Sequence, residues 1–304
     1  MYEKKRFLFF PFLLLVGMTS CSIFESPKEQ KPIVEIDNEN NMTSVSNDGL
    51  TIKVNSASAD SITYDSVRKE FLILNTIDQT EYWVSGTSSS RIRFSPSCKE
   101  TAVVILDGVN ITTNSGCSPI LWESDLKKLE LKAQKGTENF LTAIKNDVPA
   151  IESINNLDIG GGGVLTLSST NASAVVCDKC TLKGTGTFNI TSEGKHGIKC
   201  KSFEAKAKTT YCCNINASKC GIKADGDVLK EKGYVNLLSG TVRINSYGTF
   251  GISATSYLSI GGEDNYGLLT ITSKNETTAL DIAGKKTKDP NGSSYKLNGV
   301  EKSF

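Results

Sequence analysis

The sequence predicts an all-β chain wound as a parallel β-helix, on three observations. A Gly/Ala-aliphatic pair recurs six times: Ala150-Ile151, Ala174-Val175, Gly197-Ile198, Gly221-Ile222, Gly251-Ile252 and Ala279-Leu280. The aliphatic members are spaced by 24, 23, 24, 30 and 28 residues, and the two longer intervals hold inserts at 225–232 and 261–267. Two apolar-x-apolar triplets follow the first five pairs, always in the same order. A fixed period in the twenties marks a solenoid, and strict alternation marks a strand with one side in and one side out. A β-sandwich also has many short strands, but it gives no reason for several registers to recur together.

The chain opens with Lys4, Lys5 and Arg6 and an apolar run over residues 7–18. This reads as a secretory signal, because a spanning helix needs about 20 apolar residues. The run ends Gly17-Met18-Thr19-Ser20-Cys21. Small residues before a cysteine resemble a bacterial lipoprotein lipobox, with Met18 where leucine is usual. That resemblance implies removal of residues 1–20, lipid (palmitate among the acyl chains) on Cys21, and anchoring in the cell envelope, at an outer membrane or cell surface. The competing reading is an ordinary signal with an incidental cysteine. Cleavage would remove Lys4, Lys5, Arg6 and Glu3 from 34 basic and 33 acidic residues, leaving 31 against 32. So balanced a surface argues against a nucleic-acid partner and against electrostatic attachment to a membrane.

Residues 21–47 are polar, with Pro27, Pro32 and the run Asp37-Asn-Glu-Asn-Asn41, and read as a flexible linker. Residues 48–284 form the β-helix domain. Its first part holds strand-like runs at 50–54, 70–74 and 82–84 without the period, as expected of an N-terminal cap. The rhythm starts near Arg91 and passes through Ile92-x-Phe94, the run 103–111, Ile120, Leu129-x-Leu131 and Phe140-Leu141.

In the regular coils the first triplets are Leu157-x-Ile159, Cys180-x-Leu182, Phe203-x-Ala205, Val235-x-Leu237 and Leu258-x-Ile260. The second triplets are Leu165-x-Leu167, Phe188-x-Ile190, Cys213-x-Ile215, Val242-x-Ile244 and Leu269-x-Ile271. A small residue sits two places after each of the first five aliphatics: Ser153, Cys177, Cys200, Ala224 and Ala254. Each coil therefore carries three short strands, and like positions stack about 4.8 Å apart. One coil alone buries too little to offset its ordering entropy, so it requires neighbours above and below. Residues 285–304, rich in Lys, Gly and Ser, read as a C-terminal tail made of a last irregular strand and a loose end.

Eight cysteines remain besides Cys21: Cys98, Cys117, Cys177, Cys180, Cys200, Cys212, Cys213 and Cys220. Cys177, Cys180, Cys200 and Cys213 fall on inward registers, where a reduced cysteine is a small apolar filler. Export would permit disulfides, and Cys177 and Cys200 should lie one coil apart. Cys177-x-x-Cys180 has no second pair at zinc spacing, and the one histidine is His196.

Several segments together resemble bacterial carbohydrate-binding domains with a pectate-lyase-like right-handed β-helix. They are Leu106-Asp-Gly-Val-Asn-Ile-Thr112, Lys135-Gly-Thr-Glu-Asn-Phe-Leu141, Gly197-Ile-Lys199 and Gly221-Ile-Lys-Ala-Asp225. Lys232-Gly-Tyr-Val235 and Ser239-Gly-Thr-Val242 complete the set, and the likeness covers about residues 80–275. The resemblance implies binding of polysaccharide, either cellulose or acidic pectin-like sugars, with calcium in some members. That family often places Asp directly before Gly-Ile, whereas this chain has His196, Cys220 and Phe250. Calcium needs six to eight oxygens, so the remaining metal candidate is the cluster Asp225, Asp227 and Glu231, which also reads as a solvated acidic loop.

The candidate carbohydrate site is a strip of outward residues on adjacent coils, Tyr234 and Tyr257 with Asn236 and Ser259. It also reads as an ordinary cross-strand aromatic pair. Trp83 and Trp122 are further candidates. No catalytic residues emerge. Lyase chemistry needs a base beside calcium or arginine, and Arg243 would serve only if it lay one coil from Asp225 and Asp227. Gly160-Gly-Gly-Gly163 lacks the Lys-Ser/Thr of a phosphate loop and reads as a tight corner. The sequence thus predicts an exported, lipid-anchored, non-catalytic polysaccharide-binding protein. The alternatives are a calcium-dependent polysaccharide lyase and a surface adhesin or scaffold that binds a protein.

Overall fold

The computed structural model describes residues 32–304 apart from 39, 146, 263–265, 274–275 and 290–291. The signal and Cys21 lie outside the described residues. The chain is a parallel β-helix, a solenoid of about eight turns of roughly 26 residues. A ten-stranded sheet and a twenty-stranded sheet enclose one core.

The ten-stranded sheet is built from the Gly/Ala-aliphatic pairs. Ile120, Ile151, Val175, Ile198, Ile222, Ile252 and Leu280 are successive parallel partners in one column. All but Leu280 are fully buried. The first triplets stack as Leu129, Leu157, Cys180, Phe203, Val235 and Leu258. The second stack as Leu165, Phe188, Cys213, Val242, Leu269 and Tyr295. Alternation thus turns every second residue into the core, and the pleat turns the intervening ones to the outer face. There Glu130, Asp158 and Thr181 are nevertheless covered by neighbours.

One position in the second-triplet column breaks the apolar rule. Asn139 pairs with Leu165, points inward and is fully buried. Its Oδ1 accepts the Val109 backbone N–H at 3.0 Å, and its Nδ2 donates to the Val164 carbonyl at 3.1 Å. It stitches three coils at a bend, because Ala102–Thr113 runs uninterrupted and pairs with both Leu129–Ala133 and Glu138–Ala143. The next coil turns the same bend through the glycine run. Gly161 has φ +102, and a Cβ there would lie 2.1 Å from the Ala133 carbonyl oxygen, so only glycine fits.

Two boundaries differ from the sequence expectation. Within residues 21–47, Ile33–Asp37 and Met42–Asn47 are antiparallel strands, not linker. Met42–Asn47 also pairs with Leu50–Asn55, which joins the large sheet through Thr80–Ser88. The inward residues of Met42–Asn47 are Thr43, Val45 and Asn47, so a buried face was disguised by polar composition. Residues 285–304 hold two strands in regular register, more than the one irregular strand and loose end expected. Lys286–Lys288 and Ser294–Leu297 add parallel strands to the two triplet columns and bury Tyr295 and Leu297.

The N-terminal end of the core is filled by Tyr82, Phe94 and Trp122, with ring centroids 5.5 Å and 5.2 Å apart in turn. All eight described cysteines are free, and Cys177, Cys180, Cys200 and Cys213 are buried in the core. Burial pushes the thiols of Cys177, Cys200 and Cys213 well above their ordinary pKa, which suits filler better than reactivity. Among the described residues no helix is long and apolar enough to cross a membrane.

Candidate functional site: a tyrosine-lined groove

The first-triplet strands position the candidate site on their outer face. Phe203 N–H bonds to the Tyr234 carbonyl and Val235 N–H to the Tyr257 carbonyl, so the tyrosines occupy one register on successive coils. Glu204, Asn236 and Ser259 form the next outward row. The four residues predicted as a strip are therefore brought together.

Their geometry differs from a flat platform. The Tyr234 and Tyr257 rings are 5.3 Å apart at 11° and stack on each other. Lys179, from the other side along the axis, sets its Nζ 5.9 Å from the Tyr234 centroid. Both faces of the Tyr234 ring are thus engaged, so it offers the groove its edge and phenol oxygen, whereas Tyr257 is stacked on one face and stays exposed. Such a ladder arises because parallel strands repeat one side-chain direction at each coil.

The insert at 225–232 forms the groove wall. Asp227 caps the short 3-10 turn Val228–Lys230 by accepting the Leu229 N–H at 3.0 Å. Lys232 Nζ reaches back to Asp178 Oδ2 at 2.5 Å, and Lys201 pairs with the other Asp178 oxygen. Burial opposes ionisation of Asp178, but the two ammonium groups outweigh it and hold the carboxyl below its ordinary range. Thr255 Oγ1 donates to the Gly226 carbonyl at 2.7 Å and accepts its N–H at 3.3 Å. Gly233, at φ +85, closes the insert, and a Cβ there would lie 2.0 Å from Thr255 Oγ1.

Between wall and sheet lies a cavity of about 500 Å³ lined by Glu204, Val228, Glu231, Tyr234, Asn236, Ser256 and Tyr257. It shares Glu231 and Tyr234 with a neighbouring cavity of about 310 Å³ that runs to Lys179, Asp178 and Asn155. Ser259 lies one coil beyond Asn236 and does not line either. Lys179 donates to Glu204 at 2.5 Å across the floor. The Asn236 Oδ1 is buried and has no hydrogen-bond partner. A buried acceptor without a partner costs free energy until a donor fills it.

Asp225, Asp227 and Glu231 do not converge as a metal site. Asp225 pairs with Lys223 at 3.1 Å, Asp227 is spent on its own turn, and Glu231 lines the groove. Among the described residues no three His, Cys, Asp or Glu side chains are placed to hold an ion. Arg243 is also displaced from that loop. It pairs with Asn214 and Thr270 on the outer face of the second-triplet sheet, and its Nη1 contacts Cys212 Sγ.

Trp122 is fully buried with its Nε1 donating to the Lys127 carbonyl, so it is core and not ligand surface. Trp83 faces outward in a separate cavity of about 490 Å³ beside Met42, Lys53 and Asp107. The sequence reading missed Lys179, Glu204 and Asp178. The first two were legible in principle as outward partners of the same triplet column, whereas Asp178 required the insert to fold back.

Farther along the same outer face, Glu130 and Asp158 share Lys128 and Lys183 in four ion pairs of 2.7–3.0 Å. Burial works to raise the Glu130 pKa, yet the two lysines bring it down to about 2. Gly160 makes room for this network, since a Cβ there would meet Lys183 Cγ at 2.8 Å.

A comparison with curated proteins gave no match. Among solved structures, the polysaccharide lyase-like protein from C. thermocellum is similar in fold, with a TM-score of 0.51 and 21% identity over 86% of this chain and 92% of that one. A family profile described as carbohydrate-binding domain-containing protein matches residues 73–300. That span takes in the whole groove, and the chain belongs to the carbohydrate-binding domain-containing protein family.

Proposed function

We propose that this is an exported, lipid-anchored protein that holds a polysaccharide in the Tyr234–Tyr257 groove without cleaving it. The observation that carries the reading is Asn236 Oδ1, a buried acceptor left open in a groove edged by two tyrosines. Sugar hydroxyls supply donors of that kind, and ring edges and phenol oxygens suit the alternating apolar and polar rims of a pyranose. Membership of a carbohydrate-binding family supports the same ligand class.

The way the charges are used supports a non-catalytic reading. A general base must titrate near working pH and reach its proton. Glu204 is tied to Lys179, and Asp178 to Lys201 and Lys232. Lys179 is itself held above its ordinary pKa, because Glu204 and Tyr234 outweigh the opposing effect of burial. The groove therefore offers hydrogen bonds in place of a poised acid–base pair.

Binding of the full chain to cellulose, pectin and peptidoglycan glycans tests the proposal. We expect one of these to bind, and Asn236→Ala and Tyr257→Ala each to weaken it about tenfold, the worth of one or two buried hydrogen bonds. Absence of binding to all three contradicts the reading. A calcium-dependent absorbance rise from unsaturated products on polygalacturonate would replace it with a lyase. Capture of a protein partner alone would replace it with an adhesin. For the anchor, mass spectrometry of the N-terminal peptide should show acylated Cys21, and Cys21→Ala should release the protein; an unmodified, retained chain contradicts anchoring.

A further inference from the structure

The outer face of the ten-stranded sheet carries a second feature, remote in chemistry from the groove. Its outward column reads Glu152, Val176, Lys199, Lys223, Ser253, Asp281 on successive coils. Lys199 and Lys223 are direct partners, so their Cα atoms lie about 4.8 Å apart. Lys195 and Lys219 are a second stacked pair, joined by a 2.8 Å backbone hydrogen bond from Lys219 N–H to the Lys195 carbonyl. The result is a quartet of ammonium groups from two adjacent coils. In a chain whose formal net charge is only +1, this is a local excess of one sign.

Two of the four are partly neutralised at the rim, Lys195 by Asp147 and Lys223 by Asp225. Lys199 and Lys219 are exposed, and no carboxylate of the described residues lies within ion-pair distance of either. Glu152 and Asp281 each lie two coils from the nearest of these lysines, with Val176 and Ser253 between. Like charges stacked on neighbouring strands destabilise a sheet unless something offsets them.

His196, the one histidine of the chain, sits half-buried between the pairs. Its Nδ1 accepts the Cys220 backbone N–H at 3.2 Å, which places the proton of the neutral ring on Nε2. The ring therefore keeps a donor, not an acceptor, at Nε2. Its other neighbour on the preceding coil is Ser173, whose Oγ accepts the His196 N–H.

We infer that the Lys195, Lys199, Lys219 and Lys223 quartet is a binding site for a polyanionic glycan carrying sulfate or phosphate esters. Lysine suits such tetrahedral groups as a point charge, whereas planar carboxylates are matched best by the bidentate arginine fork. Arg93, four coils from Lys199 in the same column, is held by Glu70 and Glu123, Arg91 pairs with Glu70, and Arg243 lies on the other sheet. The site shares no residue with the groove, so either can fail without the other.

His196 provides the reporter. Burial, and then Lys223, Lys199, Lys219 and Lys195, depress its pKa to about 4. An anion seated among the lysines cancels the second contribution and raises that value. The test is an NMR pH titration of this single imidazole in the full chain with dextran sulfate, uncharged dextran or polygalacturonate. Dextran sulfate should raise the His196 pKa by about one unit and bind in a salt-sensitive way. The exposed-lysine variant Lys199→Gln/Lys219→Gln should lose at least tenfold in affinity with an unchanged unfolding midpoint, while Asn236→Ala retains wild-type affinity. An unmoved imidazole, or unchanged affinity in the double variant, overturns the site. Tighter binding of polygalacturonate than of dextran sulfate overturns the ester assignment.

Discussion

The coils from Ile151 to Ile282 and the cap from Ile33 to Ser88 close one core by different means. In the coils each inward residue meets its own equivalent above and below, so Ile198 packs between Val175 and Ile222. In the cap the strands are antiparallel, and Thr43 and Asn47 share the buried face with Val45. A coil is stabilised by repetition, whereas the cap has to end the repetition without leaving an open edge. Its outermost strand still exposes Ile33, Val34 and Ile36. The lesson is that stability should concentrate in the middle of the stack and fade toward the cap.

Substitutions can break or sharpen that contrast. Phe188→Ala removes a fully buried ring that packs 5.8 Å from Tyr211 in mid-stack. It should cost about 3–5 kcal/mol in chemical denaturation, while Ile36→Ala in the exposed cap strand should stay within about 0.5 kcal/mol. Equal losses at both sites would refute the gradient.

Gly233→Ala forces a side chain into the closure of the groove wall and should cost about 1–3 kcal/mol. Because the wall is an insert on the stack, this variant should lose glycan affinity about tenfold while keeping the far-ultraviolet spectrum of the parent. Unchanged affinity would separate the wall from binding.

Glu130→Gln leaves Lys128 and Lys183 with Asp158 alone, and should cost about 1–2 kcal/mol at neutral pH. The folded Glu130 pKa is lowered from 4.5 to about 2, so its ionised form favours the native state. That contribution is complete above about pH 5 and is lost as pH falls from 4.5 toward 2. The variant should therefore show a flatter acid limb in denaturation midpoints; an identical limb contradicts the network's role.

Among the core substitutions the smallest effect is expected at Cys200→Ala. The equivalent positions on the next two coils are already Ala224 and Ala254, so the change should cost less than about 1.5 kcal/mol. A larger loss would show that the sulfur does more than fill space.

Most of the stack was legible because each inward position is repeated. Ile151, Val175, Ile198, Ile222 and Ile252 betray one another by interval alone. The register of Tyr234 and Tyr257 came from the same rule, but the stacking of their rings did not, because ring orientation depends on neighbours such as Lys179. The strands at Ile33–Asp37 and Met42–Asn47 were hidden by polar inward residues, and Ser294–Leu297 by its lysine-rich surroundings. Asp178 was hidden for another reason: it meets Lys232 across 54 residues, through an insert whose path no period describes.

Side-chain oxidative footprinting of the full chain, with and without its bound glycan, tests the assignment of the ligand to the groove most directly. Tyr234 and Tyr257 should become protected while Trp83, in its separate cavity, keeps its reactivity. Protection of Trp83 with both tyrosines unchanged would contradict the account.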